Sequence, residues 1–237
     1  MKIAIIGYGR MGKEIEKLAL QRGHEILLKI DQNNCQEIDS GKFQQVDVAI
    51  EFTHPESAYQ NILKCFKSNI PVVSGTTGWM NELTKVIEKC RTEGKTFFYA
   101  SNFSIGVNLF FKVNEFLAGL MNNYPDYNVN IEETHHTKKL DTPSGTAISL
   151  ADGIIKNINK IKKWEKENAA SGDIIPVKSY RIGNIPGNHK VTYESGFDKI
   201  TIEHDAKSRH GFALGALLAA EFIHEKKGFF TMDDMIR

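Results

Sequence analysis

Long hydrophobic runs are missing from this sequence: no apolar stretch reaches the length needed to cross a bilayer. Charge of one sign is not in excess either. Lys and Arg number 30 against 29 Asp and Glu, a net of +1, so bulk charge argues against nucleic acid or a membrane surface as partner and leaves only a local anionic site. Cysteine is scarce. Cys35, Cys65 and Cys90 are odd in number and show no CxxC spacing, which excludes a disulfide scaffold and reads as free thiols in a reducing cytoplasm, each expected as a small core residue. There is no internal repeat and no low-complexity tract. The apolar stretch Lys2-Ile3-Ala4-Ile5-Ile6 directly after Met1 is a strand pattern rather than a signal peptide, so the expected compartment is cytoplasmic. What remains is an ordinary globular composition, 41% hydrophobic and 25% charged over 237 residues, enough for one large or two modest domains.

The first hundred residues alternate between two periodicities. Apolar runs at residues 3–6, 26–30, 46–52, 71–73 and 96–100 read as buried parallel strands. Helical spacing fills the gaps at 11–22, 55–67 and 81–91, the second opening on Pro55 after Thr53-His54. This alternation predicts an α/β fold with a Rossmann-type doubly wound parallel sheet. After Asn102 the pattern changes. Helices are expected at 107–121 and 144–161, and strands at 129–133, 177–182, 189–194 and 199–205, the last two joined by the turn Ser195-Gly196-Phe197-Asp198. Consecutive strands with tight joins imply an α+β domain with a mixed or antiparallel sheet. The charge-rich stretch 156–167 reads as a solvated helix end and loop. The expected division is a dinucleotide-binding domain over 1–104, completed by the Ala/Leu-rich helix region 210–237, and a second domain over 105–209.

Gly7-Tyr8-Gly9-Arg10-Met11-Gly12 fits G-x-G-x-x-G. The pattern alone is weak, but here it follows the first strand and opens a helix. Gly7 permits the turn, Gly9 lets backbone approach a pyrophosphate, and Gly12 lets helix and strand pack closely. The helix start offers N–H groups to the phosphates. Asp31 ends the second strand, 19 residues past Gly12, where an acid binds the ribose 2′-hydroxyl of NAD. No Arg follows Asp31 to meet a 2′-phosphate, so NADH is expected over NADPH. Gly75-Thr76-Thr77 and Ala100-Ser101-Asn102-Phe103 fall at the ends of later strands, where ligands bind in open α/β sheets.

The densest polar stretch runs from Glu133 to Thr146 and holds His135, His136, Lys138, Lys139 and Asp141 before Pro143-Ser144-Gly145-Thr146. Ser144 is placed to cap a helix, so Gly145 and Thr146 present backbone N–H groups to a carboxylate. A lysine can act as general acid and a histidine can move protons beside it. Adjacent histidines could bind a metal, but HExxH spacing and a nearby cysteine set are absent, so no metal is expected. The residues alone leave three readings open: a reductase acting on a small anionic molecule, another Rossmann amino-acid dehydrogenase, and a non-catalytic NAD(P)-binding sensor.

The stretch resembles the signature E-x-x-H-H-x-x-K-x-D-x-P-S-G-T of the 4-hydroxy-tetrahydrodipicolinate (dihydrodipicolinate) reductases. The glycine motif, Glu51-Phe52-Thr53-x-Pro55, Gly75-Thr76-Thr77, Asn102-Phe103-Ser104-x-Gly106-Val107-Asn108, Ser208-Arg209 and Gly228-Phe229-Phe230-Thr231-Met232-Asp233-Asp234 also match in family order. Two departures stand out: the segment from Asp31 to Val46 is short, and Gln32 stands where dual-cofactor members often carry Arg. The resemblance implies reduction of a cyclic dicarboxylate by NADH or NADPH with net loss of water, in lysine and diaminopimelate biosynthesis. It implies that His135 and Lys139 handle protons, that His136, Gly145 and Thr146 bind substrate carboxylates, and that Gly7 to Gly12, Asp31, Gly75 to Thr77 and Ala100 to Phe103 line the cofactor. It further implies a cytoplasmic homotetramer assembled through the sheet of the second domain.

Overall fold

The computed structural model describes residues 1–167, 172–208 and 210–236. Arg209, part of the Ser208-Arg209 match, lies outside them. The chain divides into two compact units, Met1–Ile105 with His210–Arg237, and Gly106–Arg209.

The first unit is built on strands β1 (Lys2–Ile6), β2 (Glu25–Ile30), β3 (Val48–Glu51), β4 (Val72–Ser74) and β5 (Thr96–Tyr99). Between them run helices α1 (Arg10–Gln21), α2 (Pro55–Lys67) and α3 (Leu83–Glu93). From the far end of the chain come α6 (His210–Ile223), β11 (Gly228–Phe230) and α7 (Met232–Met235). The sheet order is β11-β5-β4-β3-β1-β2, and every pairing is parallel. Successive side chains of a strand point to opposite faces, and β1 shows the result. Ile3 and Ile5 enter a cluster with Ile15 and Leu18 of α1 and Ala213, Ala216 and Leu217 of α6. Ala4 and Ile6 enter another with Ile62 and Phe66 of α2 and Val86 of α3. Burial on both faces is why these strands read as continuous apolar runs.

The second unit holds α4 (Ile105–Met121), β6 (Asn128–His135), α5 (Gly145–Asn157), β7 (Lys163–Lys166), β8 (Ile174–Arg181), β9 (Gly187–Glu194) and β10 (Lys199–Ala206). Its sheet, ordered β10-β9-β6-β8-β7, is mixed: β6 pairs antiparallel with β9 and parallel with β8. One face buries Val129, Ile131, Val177, Val191 and Tyr193 against Phe110 and Met121 of α4 and Leu150 and Ile154 of α5.

Several expectations need correction. The stretch 156–167 is not all helix end and loop. The helix stops at Asn157, and Lys163–Lys166 forms edge strand β7, paired with β8. Its alternating charges are those of a protected sheet edge, and Trp164 gives it an anchor on the core. Cys65 and Cys90 are buried, but Cys35 is exposed; the 3-10 turn Cys35–Asp39 turns only Ile38 inward. The strand expected at 129–133 continues to His135, because polar Glu133 and His135 keep the alternation of Val129 and Ile131. Strand β11 was not anticipated from three residues. Among the described residues no helix is long and apolar enough to cross a membrane.

Gly215 of α6 faces the Phe103 backbone so closely that a Cβ there would stand 1.7 Å from the carbonyl oxygen. Helix propensity alone favours Ala over Gly by about 1 kcal/mol. Gly215→Ala is nevertheless expected to destabilise, by about 1–3 kcal/mol from overpacking. Urea unfolding of the two proteins checks this, and a variant as stable as the parent would refute the contact.

Candidate active site

In the first unit, Gly7 leaves β1 at φ +97°, and a Cβ on it would lie 2.0 Å from the Phe52 carbonyl oxygen. No other residue fits this left-handed, close-approach position without strain. A Cβ on Gly12 would meet the Gly7 carbonyl oxygen at 2.5 Å, so the start of α1 lies tight against the turn. A cleft of about 370 Å³ opens there, walled by Gly7, Gly9, Arg10 and Met11, by Phe52, Thr53 and Pro55, and by Gly75, Thr76 and Thr77. The space before Gly9 is open, with no atom within 4 Å of where its Cβ would stand. A phosphate can therefore reach the backbone at the helix start, and the site fits a dinucleotide.

Beneath the cleft Glu51 is fully buried. Its carboxylate accepts from the Thr53 amide at 3.0 Å, from the Thr53 hydroxyl, from Ser74 Oγ at 2.5 Å and from Thr76 Oγ1 at 2.9 Å. Burial pushes its pKa up, and the bonds from Ser74, Thr53 and Thr76 offset only part of that. Glu51 thus fixes Thr53 and Thr76, two walls of the cleft. It is a residue the site reading passed over, although a lone acid closing an apolar strand was a usable signal.

The other expected cofactor residues divide. Tyr8 does not wall the cleft: its hydroxyl donates to Glu16, and the ammonium of Lys29 stands 5.2 Å from its ring. Lys29 is also paired with Glu16 at 2.6 Å. Asp31 is exposed just past β2, in a turn where its Oδ1 accepts from the Asn33 amide at 2.7 Å. Ser101 is exposed and Asn102 half-buried, its Oδ1 accepting from the Ser104 amide at 2.9 Å. Ala100 is buried, and the Phe103 ring lies in the core against Phe52 and Phe98, so only the backbone of Phe103 could serve a ligand.

In the second unit, sheet register assembles the polar cluster. Glu133 stands opposite His189 on β9, and His135 opposite Arg181 on β8. All continue the face that carries Ile131, beneath the start of α5. The Glu133 carboxylate accepts the Ser144 amide at 3.1 Å on both oxygens and the Arg181 guanidinium at 3.3 Å. His135 Nε2 and His189 Nε2 lie 3.5 and 3.6 Å from Glu133 Oε2. Arg181 also donates to the Asp141 carbonyl at 2.6 Å and to Thr142 Oγ1 at 2.9 Å, which shapes the segment carrying Lys139. Ser144 caps α5, its Oγ accepting from the Ala147 amide at 3.2 Å. Gly145 is exposed and Thr146 half-buried at that helix start, where the first N–H groups lack intrahelical partners. Lys139 Nζ sits 2.8 Å from Asp141 Oδ2. His136 is half-buried, and its Nδ1 has no partner among the described residues.

Burial alone would raise the pKa of Glu133, but bonds from His135, His189 and Ser144 outweigh it and hold the carboxyl far below the ordinary range. Burial lowers the pKa of His189, against an opposing pull from Glu133. Glu133, His135 and His189 are close enough to form a ligand set for a cation. Both carboxylate oxygens, however, already accept hydrogen bonds, one of them from a guanidinium, so the charge is compensated without a metal. Neither His189 nor Arg181 stood out in the sequence, because each lies far along the chain in an unremarkable alternating strand.

Models of two consecutive families cover the chain: dihydrodipicolinate reductase, N-terminus, over residues 1–103, and dihydrodipicolinate reductase, C-terminus, over residues 106–236. The chain belongs to the dihydrodipicolinate reductase family. The 4-hydroxy-tetrahydrodipicolinate reductase of Christiangramia forsetii is 52% identical over 236 residues, 100% of this chain and 98% of that one. The Staphylococcus epidermidis enzyme of the same name is 34% identical over 246 residues, covering 99% and 100%. In fold the chain is similar to the dipicolinate-bound dihydrodipicolinate reductase of Paenisporosarcina sp. TG-14, with a TM-score of 0.78 at 24% identity over 98% and 97% of the two chains. This reductase family uses a nicotinamide cofactor, consistent with the cleft at Gly7 and Gly9.

The cluster makes the stability of this family member pH-dependent. A carboxyl with a depressed folded pKa contributes stability above its unfolded value of about 4.3 and loses it as pH falls. The lowered His189 acts in the same direction as pH drops below about 6.5, since the unfolded chain then takes up the proton first. Glu51, raised, works the other way. Glu133→Gln should cost about 3–5 kcal/mol at neutral pH and flatten the acid side of the profile. Denaturant unfolding from neutral pH down to pH of about 2.5, well below the unfolded carboxyl value of about 4.3, compares the two proteins; an unchanged acid slope would exclude Glu133 as its source.

Proposed function

We propose that this protein reduces 4-hydroxy-tetrahydrodipicolinate to tetrahydrodipicolinate with NAD(P)H and net loss of water, a step of lysine and diaminopimelate biosynthesis. The observation that carries this reading is the stretch from Glu133 to Thr146. Its Glu133 and His135 are buried with Arg181 and His189 in a compensated cluster directly beneath a capped helix start, in a chain matched along its length by the reductase family.

The net reaction adds a hydride and a proton to the ring and releases water. A reduced nicotinamide, when bound, supplies the hydride to ring carbon C4. The protein's part is positioning and proton transfer. Gly7, Gly9, Arg10 and Met11 cradle the pyrophosphate at the start of α1, with Tyr8 and Gly12 shaping the turn. Gly75, Thr76, Thr77 and the backbone from Ala100 to Phe103 line the rest of the cofactor site. Gly145 and Thr146 offer N–H groups to one substrate carboxylate, and the α5 dipole favours the negative charge. His136 adds a donor to the same anion. Asp141 holds the Lys139 ammonium in place before the transfer; Lys139 then gives the proton to the substrate and, as an amine, regains one from solvent. His135, buried at the end of β6, handles protons beside it. The second unit also carries the subunit contacts of a homotetramer, in a cytoplasmic enzyme; the sheet face away from α5 presents Tyr180 to the surface.

Asp31 selects the cofactor. Its exposed carboxylate accepts a ribose hydroxyl and repels a 2′-phosphate. The one cation close by in sequence, Lys29, is held by Glu16 and Tyr8 instead. NADH is therefore the preferred reductant. Steady-state kcat/KM for both cofactors should favour NADH, and Asp31→Ser should narrow the gap; a parent protein that prefers NADPH overturns the assignment.

The reaction itself is tested by following NADH loss with freshly made product of the preceding synthase reaction. Lys139→Ala should lower kcat by about 10²–10⁴-fold while NADH affinity, read by fluorescence, stays put. Absence of turnover in the parent sinks the function, and near-native turnover in Lys139→Ala moves the proton-donor role elsewhere.

A further inference from the structure

His189 lies on β9, distant in sequence from the catalytic stretch, yet it is 4% exposed and stands against Ser144, His135 and Glu133. Its Nε2 is 3.0 Å from Ser144 Oγ and 3.3 Å from His135 Nε2. We propose that His189 is a positioning residue that donates one N–H into the space between His135, Ser144 and Glu133, and so holds the proton-handling histidine and the carboxylate-binding start of α5 in one fixed arrangement. This rests on the reductase reading of the site.

Proton accounting leads to the assignment. His135 Nδ1 lies 3.2 Å from the Pro186 carbonyl oxygen, which can only accept, so Nδ1 carries a proton. In His135 as the neutral base, the form that can take up a proton, Nε2 is then a lone pair; once protonated, that nitrogen donates toward Glu133 Oε2 at 3.5 Å. Two lone pairs at 3.3 Å would repel, so the proton between the rings belongs to His189 Nε2. The same N–H has Ser144 Oγ and Glu133 Oε2 within reach. The unpartnered atom of His189 is Nδ1, which this tautomer leaves as a lone pair rather than as a buried, unmatched N–H. Burial keeps the ring neutral, so it acts as a donor of fixed direction.

The surroundings leave the rings little freedom. The groups facing them are Glu133 on β6, Arg181 on β8 and the more distant His204 on β10, which also disfavours charge on His189. A Cβ on Gly187 would come within 2.9 Å of His135 Cε1, so β9 contributes both the backbone on which His135 rests and the donor that orients it. Ser144 already accepts the Ala147 amide as helix cap. Sharing of the single His189 N–H between Ser144 Oγ and His135 Nε2 therefore ties the anion-binding turn to His135.

The donor requirement separates this role from simple packing. His189→Gln keeps an N–H near the Nε2 position, whereas His189→Leu fills the space without one. His189→Leu is expected to lower kcat about 100-fold, the scale of small misplacements in a reacting site. It should also weaken binding of pyridine-2,6-dicarboxylate about tenfold, the effect of one lost hydrogen bond, and leave NADH affinity within about twofold. His189→Gln should recover most of both losses. Equal losses in the two variants, in step with their melting temperatures, would reduce His189 to packing. A His189→Leu protein with parental kcat and dicarboxylate affinity would overturn the proposal outright. Nitrogen-15 NMR of the ligand-free parent gives a readout independent of folding variants and of turnover. It should show His135 protonated at Nδ1 and His189 at Nε2, and the opposite tautomer of His189 refutes the assignment. If the parent itself neither oxidises NADH with the substrate nor binds the dicarboxylate, the reductase reading falls, while the spectrum still decides the hydrogen-bond pairing.

Discussion

The ionised carboxylate of Glu133, with no exposed surface, is the charge around which the second unit is arranged. A buried carboxylate is tolerated only when its lone pairs and its charge are both met. Here the Ser144 amide, the Arg181 guanidinium and the two imidazoles do so. Each of these partners belongs to a different part of the site. Ser144 opens the helix proposed to bind a carboxylate, Arg181 braces the segment carrying Lys139, and His189 stands against His135, the proposed proton-handling residue. Removing the charge would leave these positive or donor groups facing an empty acceptor, so the geometry of the site and the stability of the unit depend on the same few bonds.

The first unit meets a similar problem differently. Glu51 also sits buried under a ligand cleft, but only hydroxyls and an amide face it, and no cation is among its hydrogen-bond partners. Burial accordingly raises its pKa where that of Glu133 is depressed. The two acids serve one purpose, holding loop residues in fixed positions, with opposite electrostatic consequences. Placing a rigid polar hub beneath a binding surface means that the residues meeting the ligand need not be stiff on their own account.

Much of this was legible beforehand. The glycine motif works because each glycine answers a local steric demand, and Gly7 and Gly12 meet the contacts expected of them. Ser144 as helix cap is likewise a local matter of a side-chain oxygen and an amide three residues on. Strands and helices of the first unit are readable because burial on both faces leaves continuous apolar runs. The misses share a cause as well. Strand β7 hides behind edge charges, Cys35 looks like any core cysteine until its turn faces outward, and β11 is too short to show a period.

The chain alone therefore determined what neighbouring residues dictate to one another: the glycine turn, the capped helix start, the alternation of strand and helix, and the polar run that marks family membership. Tertiary structure decided what depends on register. His189 and Arg181 meet Glu133 and His135 only because β6 lies between β8 and β9 in one particular alignment, and a slip of one residue would turn every one of those side chains to the other face. Sequence spacing carries no record of that alignment, since it is set by the packing of a whole sheet face against α4 and α5.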